Sequence, residues 1–317
     1  MRSKALKNLE PNIPICVNLW NMYSTVKRDD ESLVQTARQT VELPADVRDA
    51  VIAFRAASTP QGWLLLHNLA VGEIPATPSE PTAATTKSDA SELLLVAVAS
   101  LLGEPVGYEP EHGGDMVQNL VPVRASSGRQ TSTSSRIALM FHTEAAFHPH
   151  RPKYLLLLCL RGDTNALTTV ASIHDALPHL SAQVIDTLFQ PRFRCAVDES
   201  YLHGRRNSHG APTAVLFGDR SNPAMVFDED LMMGTDVEAE SALHALGAAL
   251  AANHVAVALA AGDLVILDND VVVHGRSPFE ARYDGTDRWV QRIMVVSDLA
   301  ASANERAGRM ITTVFGD

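Results

Sequence analysis

The stretch Ile137-Ala138-Leu139-Met140-Phe141-His142-Thr143-Glu144 decides how this chain is read. Its first five residues form an apolar run of the kind that makes a buried strand. In an extended strand alternate side chains share a face, so His142 and Glu144 point the same way with attachment points ~6–7 Å apart. An imidazole and a carboxylate so placed can grip one ion. Far downstream, Asp268-Asn269-Asp270-Val271-Val272-Val273-His274-Gly275-Arg276 carries a second histidine at the end of a β-branched run. Brought in from another strand, His274 would complete a two-histidine, one-carboxylate facial set, which leaves three positions of an octahedral iron(II) open. His-x-Glu alone means little in a chain with 12 histidines and 37 acids. The apolar run gives it weight, because ionisable groups are costly in such a place unless paired or metal-bound.

Arg288 and Arg292 form a second pattern, in Arg288-Trp289-Val290-Gln291-Arg292-Ile293. Period-2 alternation puts both guanidinium groups on one face and Trp289, Gln291 and Ile293 on the other. Arginines on the inner face of an apolar strand need anions, supplied either by Asp and Glu or by a ligand. An acidic run, Asp228-Glu229-Asp230, would put Asp228 and Asp230 on one side if the chain stays extended there.

Around these residues the chain resembles the clavaminate-synthase-like group of iron(II)/2-oxoglutarate oxygenases. The resemblance rests on His142-Thr143-Glu144-Ala145-Ala146-Phe147-His148-Pro149 and Leu158-Cys159-Leu160-Arg161-Gly162-Asp163. It continues in Val197-Asp198-Glu199-Ser200, Val226-Phe227-Asp228-Glu229-Asp230-Leu231-Met232 and His274-Gly275-Arg276-Ser277-Pro278-Phe279. Within the group it is most similar to hydroxylases of free lysine, arginine and asparagine. The match spans about Gln118 to Val296.

The resemblance implies Fe(II), 2-oxoglutarate as co-substrate and O2, with His142, Glu144 and His274 as metal ligands and catalytic centre. It places a 2-oxoglutarate-binding arginine fourteen positions after the distal histidine, at Arg288. A planar guanidinium grips a carboxylate through two parallel hydrogen bonds. Thr168, or Thr169 if the register shifts, would add a hydroxyl. Arg292 is then left for the α-carboxylate of an amino-acid substrate, and Asp228 with Asp230 for a cationic side chain. Gln118 and Ser132 are further candidates for the head group. The expected substrate is a free basic L-amino acid, with lysine and arginine both open. Glu144 fills the position that a halogenase leaves vacant, so hydroxylation is expected, with desaturation or another amino acid such as asparagine as alternatives. A non-oxidative cupin-like metalloenzyme or an amino-acid-binding protein would leave Arg288 or the metal set without a purpose.

Composition agrees with this reading. A chain of 317 residues fits one domain, residues 1–317. The expected class is mainly β with flanking helices and a double-stranded β-helix (jelly-roll) core. Residues up to about 115 read as helical and strand additions, and about 116–300 as the core with an insertion helix at Ala239–Ala252 and a lid loop near 200–212. An edge strand is expected at Ile13–Leu19, and Leu264–Leu267 and Val271–His274 are expected to form an antiparallel hairpin. The net charge of −11, without clustered Lys and Arg, argues against a nucleic-acid partner. No apolar run approaches the ~18 residues of a membrane span. The basic N-terminus lacks an apolar segment behind it, so the cytoplasm is the expected location. Cys16, Cys159 and Cys195 are too few and too scattered for a disulfide framework or a zinc site.

Overall fold

A computed structural model describes residues 29–83, 89–202, 204–207 and 209–316. The expected strand at Ile13–Leu19, and Cys16, lie outside the described residues. Cys159 and Cys195 are buried and unbridged. Among the described residues no helix is long and apolar enough to cross a membrane.

The described part is predominantly strand with several helices, and two sheets organise it. In the larger sheet, β1 (Trp63–Leu66), β12 (Leu264–Asp268), β5 (Tyr154–Arg161), β14 (Trp289–Val296) and β2 (Glu104–Tyr108) lie side by side. There β3 (Val117–Leu120) also pairs with β14, and β16 (Met310–Ile311) with β15 (Arg306–Ala307) extend the far edge. The smaller sheet runs β11 (Val255–Val257), β6 (Thr168–Ser172), β13 (Val272–Arg276), β4 (Leu139–His142). Two short ladders, β7 (Phe193–Cys195) with β10 (Met232–Gly234) and β8 (Leu216–Asp219) with β9 (Asn222–Met225), flank it. Strands β1 and β2, which precede residue 115, are members of the larger sheet.

Strand β5 explains the layering. All of its residues from Tyr154 to Leu160 are buried, so both faces of the sheet are covered. Leu155, Leu157 and Cys159 pack with Val170 and Val272 of the smaller sheet. Their alternates Leu156, Leu158 and Leu160 pack with α1 (Asp30–Thr40), α2 (Ala45–Ala57) and α3 (Ala90–Leu102). The outer face of the smaller sheet, through Ala171 and Val273, meets α4 (Ile173–Ala176), α5 (Ala182–Leu188) and α6 (Val237–Asn253). Helix α6 is the expected insertion helix, and the Asp236 carboxylate caps it by accepting from Ala239 N–H at 3.0 Å. Removing ~25 cal/mol of unfavourable hydration per Å² of apolar surface, on both faces of β5, makes this strand the centre of the core.

The expected hairpin does not form. β12 pairs with β1 and β5, while β13 pairs with β6 and β4, so Asp268-Asn269-Asp270 crosses from one sheet to the other. Sequence fixes that a turn lies here, but the choice of strand partner is made by distant segments. The crossover carries His274 to the smaller sheet, opposite His142.

Candidate active site

Strands β13 and β4 place His274 directly across from His142, with ring centroids 4.3 Å apart. Gly275 permits this approach, because a side chain there would lie 2.5 Å from the carbonyl oxygen of Leu139. The ladder of β4 stops at His142, and the chain beyond is held by other means. Thr143 N–H donates to Phe227 O at 2.7 Å, and Thr143 Oγ1 accepts from Phe227 N–H at 3.0 Å. Candidate ligand atoms of His142, Glu144 and His274 then lie within 4.8 Å of one another.

The protonation states suit a cation. His142 Nδ1 lies 2.8 Å from the carbonyl of Met140, which only accepts, so Nδ1 is the donor of this bond and Nε2 is the ring nitrogen left for a ligand. Burial, reinforced by His142, pulls His274 down to about 4, which leaves it neutral at pH 7. Burial alone would raise the Glu144 carboxyl, but Arg292, His274 and His142 outweigh it and hold the group ionised. Among the described residues Glu144 Oε2 has no hydrogen-bond donor, and His274 Nε2 lies 3.5 Å from it. A buried, ionised oxygen without a donor among the described residues, beside two imidazoles, fits a divalent ion of intermediate softness.

These three residues line a cavity of about 670 Å³, within the usual range for a small-molecule site. Arg288, on its wall, is buried and makes one hydrogen bond, from Nη2 to Thr168 Oγ1 at 3.3 Å. Among the described residues Arg288 has no ion-pair partner, and burial lowers its hold on the proton. Arg276 sits nearby, held by Ser134 O at 2.6 Å and Ser134 Oγ at 2.8 Å, and is pulled down to about 10 by burial and by Arg288. Two buried guanidiniums that pair with no carboxylate among the described residues are chemically suited to an anion. Thr168 lines the cavity with them, whereas Thr169 is not among its lining residues.

Arg292 has the opposite surroundings. Its Nη1 donates to Glu144 Oε1 at 3.0 Å, its Nε to Gln118 Oε1 at 2.8 Å, and its Nη2 to Glu111. Burial opposes its charge, but Glu111 and Glu144 hold the proton more firmly than usual. Gln118 thus braces Arg292 from outside the cavity wall, while Ser132 is on the wall. Glu111 is on the wall too, its carboxyl raised by burial against the pull of Arg292, with Tyr201 Oη donating to it at 3.2 Å. The sequence did not single out Glu111. An acid just before His112-Gly113-Gly114 has the look of a solvated turn residue, and no periodicity marks it.

Asp228 and Asp230 both reach the cavity, although the chain there is a turn and not an extended strand. Asp228 is buried and its Oδ1 accepts from Asp230 N–H at 2.9 Å and Leu231 N–H at 2.8 Å. Burial raises its carboxyl, with His142 offsetting part of the shift. Asp230 is exposed at the rim. Asp198 and Glu199 add two further acids to the wall, and Glu199 pairs with Arg129 at 2.8 Å.

Comparison with known proteins agrees with this geometry. The chain is 38% identical over 285 residues to the L-asparagine oxygenase of Streptomyces coelicolor, covering 88% of this chain and 84% of that protein. It is 34% identical to the L-lysine 3-hydroxylase of Catenulispora acidiphila, covering 89% and 80% respectively. A solved asparagine oxygenase in complex with Fe(II), 2S,3S-3-hydroxyasparagine and succinate superposes with a TM-score of 0.82 at 36% identity, over 89% of this chain and 90% of that one. Residues 53–294 match the model of the taurine catabolism dioxygenase TauD, TfdA family, and the chain belongs to that family.

Proposed function

We propose that this chain is an iron(II)- and 2-oxoglutarate-dependent hydroxylase of a free basic L-amino acid, lysine or arginine. The observation that carries the reading is the pairing of an orphaned carboxylate oxygen, Glu144 Oε2, with an unpaired buried cation, Arg288, in one cavity. His142, Glu144 and His274 would hold the iron. With iron, 2-oxoglutarate and O2 bound, the site would supply oxidative decarboxylation to succinate and carbon dioxide and insertion of one oxygen atom into a substrate C–H bond. The two sheets and their crossover support a jelly-roll core. We infer one oxygenase domain, with the segment around 200–212 as its lid.

The chain's own groups divide the binding work. Arg288, with Thr168, offers two parallel donors to the distal carboxylate of 2-oxoglutarate. Arg292 and Glu111 are a ready-made receptor for a zwitterion. An α-carboxylate replaces Glu111 on the guanidinium and an α-ammonium replaces Arg292 on Glu111, so no buried charge loses its partner. Asp228 and Asp230 accept a side-chain cation, and Asp198 lines the same cavity.

A second reading, an amide side chain such as that of asparagine, is favoured by one observation. Asp228 spends one carboxylate oxygen on its own turn, which leaves less charge to meet a cation. One experiment separates the two readings. The twenty amino acids are incubated with 2-oxoglutarate, O2 and Fe(II), and products are scored by succinate release and a mass gain of one oxygen. Lysine or arginine is expected to react. Turnover of neutral or acidic amino acids alone would overturn the basic-substrate reading, and failure to release succinate with any substrate would overturn the oxygenase itself.

A further inference from the structure

We infer that Asn269 is a positioning residue for the candidate metal site, fixing the main chain of Glu144 relative to the segment that carries His274. The inference rests on the metal-site reading above. Asn269 is 1% exposed and lies in the crossover between the sheets, five positions before His274. Its Oδ1 accepts from Glu144 N–H at 2.8 Å, and its Nδ2 donates to Glu144 O at 3.1 Å. The second Nδ2 hydrogen goes to Pro152 O at 2.8 Å, and Asn269 N–H donates to Lys153 O at 2.9 Å.

The physical need is specific. Glu144 lies beyond the end of β4, so its N–H and C=O have no strand partner, and both are buried. An asparagine amide reproduces what a neighbouring strand would supply, one acceptor and one donor side by side. The backbone is also unfavourable locally, since Ala145 adopts φ 52°, a left-handed conformation that residues other than glycine seldom take. Such a conformation persists when the surroundings impose it, and Asn269 is the side chain that bonds Glu144 on both sides of its Cα. Because the same residue is in the chain leading to His274, one amide sets the spacing between two of the three proposed ligands. Aspartate would keep the acceptor and lose both donors, and alanine would lose all three bonds.

The test uses the full chain and Mn(II), a redox-silent probe, with dissociation constants measured anaerobically well below the melting temperature of each variant. Wild type is expected to bind Mn(II), and Glu144→Ala to bind it far more weakly. Asn269→Ala and the nearly isosteric Asn269→Asp are each expected to raise the constant at least tenfold, the range seen when a partner that orients a metal ligand is removed. A role confined to packing would lower the melting temperature of the metal-free protein and leave the Mn(II) constant of the folded protein unmoved. Unchanged Mn(II) affinity in a folded Asn269 variant would overturn the positioning role alone. Failure of both variants to fold would also overturn it, assigning Asn269 to the core. Absence of Mn(II) binding by wild type, or full binding by Glu144→Ala, would overturn the metal reading beneath it.

Discussion

Arg292 and Glu144 form a buried ion pair, Nη1 to Oε1 at 3.0 Å, and the same guanidinium reaches Glu111. One cation therefore ties a proposed metal ligand to a proposed substrate ligand. Replacing Arg292 by alanine would leave two buried carboxylates without their partner, a loss that commonly costs about 3–5 kcal/mol. Arg292→Ala should lower the denaturant midpoint markedly as well as abolish turnover. Lysine cannot serve Gln118, Glu144 and Glu111 together, so Arg292→Lys should keep part of the stability and little of the activity. A full-activity Arg292→Lys enzyme would refute the shared-cation arrangement.

Arg288 differs because among the described residues no acid forms an ion pair with it. If it holds the distal carboxylate of 2-oxoglutarate, its loss strands a buried charged partner, at about 2–5 kcal/mol. Arg288→Ala should raise the apparent constant for 2-oxoglutarate at least tenfold, and Thr168→Val should raise it by a smaller factor. Steady-state kinetics varying 2-oxoglutarate at saturating substrate measure both. An unchanged constant in Arg288→Ala would move the role to Arg276, the other guanidinium at that wall.

What the sequence revealed and what it hid follow from the range of the forces involved. His142 and Glu144 stood out as a local i, i+2 pair behind an apolar run, and Arg288 and Arg292 as a local i, i+4 pair, although β4 ends at His142 and β14 begins at Trp289, so neither pair lies wholly within a strand. The partner of β13 was not legible, because pairing depends on segments more than a hundred residues away; the crossover was read as a hairpin. Glu111 sits in a turn that has no period to read. Asp228 and Asp230 were found by residue type, but the turn that brings them to the cavity depends on the carboxylate of Asp228 bonding its own backbone. Helix α1 went unnoticed because only Leu33, Val34 and Ala37 mark its buried face.

His148 should make folding sensitive to acid. It is buried among Tyr108, Phe147, Tyr201 and Phe315, its Nδ1 accepts from His150 N–H at 2.9 Å, and burial pulls it down from 6.5 to about 3. The unfolded chain binds a proton at this position below pH 6.5 while the folded chain does not, until the pH nears 3. Its contribution is thus complete above pH 6.5 and is lost as the pH falls through that window. One such proton corresponds to a slope of up to about 1.4 kcal/mol per pH unit. Urea unfolding of the metal-free chain between pH 7 and pH 4.5 should show a shallower pH dependence in His148→Phe than in wild type. Parallel curves would mean that the buried imidazole is protonated in the folded protein as well.

The acidic end of the cavity gives the sharpest test of substrate class. Asp228 is buried and holds one oxygen on its own turn, while Asp230 stands exposed at the rim, so the two are not equivalent. The buried group should act more strongly, because water screens it less. Asp230→Asn should weaken binding of a cationic substrate modestly, and Asp228→Asn should weaken it more while also disturbing the turn. A guanidinium could bridge both carboxylates, whereas an ammonium needs only one of them. If arginine is the substrate, the two substitutions should therefore couple, with the double variant departing from the sum of the singles. If lysine is the substrate, Asp228→Asn should account for most of the loss. In either case, if Arg288 and Thr168 hold 2-oxoglutarate, its constant should stay near the wild-type value, because Arg288 bonds Thr168 while Asp228 bonds its own turn. Substrate-dependent succinate release, measured for wild type, both single variants and the double variant with each amino acid, supplies all of these numbers. Equal losses for 2-oxoglutarate and for the amino acid would show that the acids shape the whole cavity and do not read the side-chain charge.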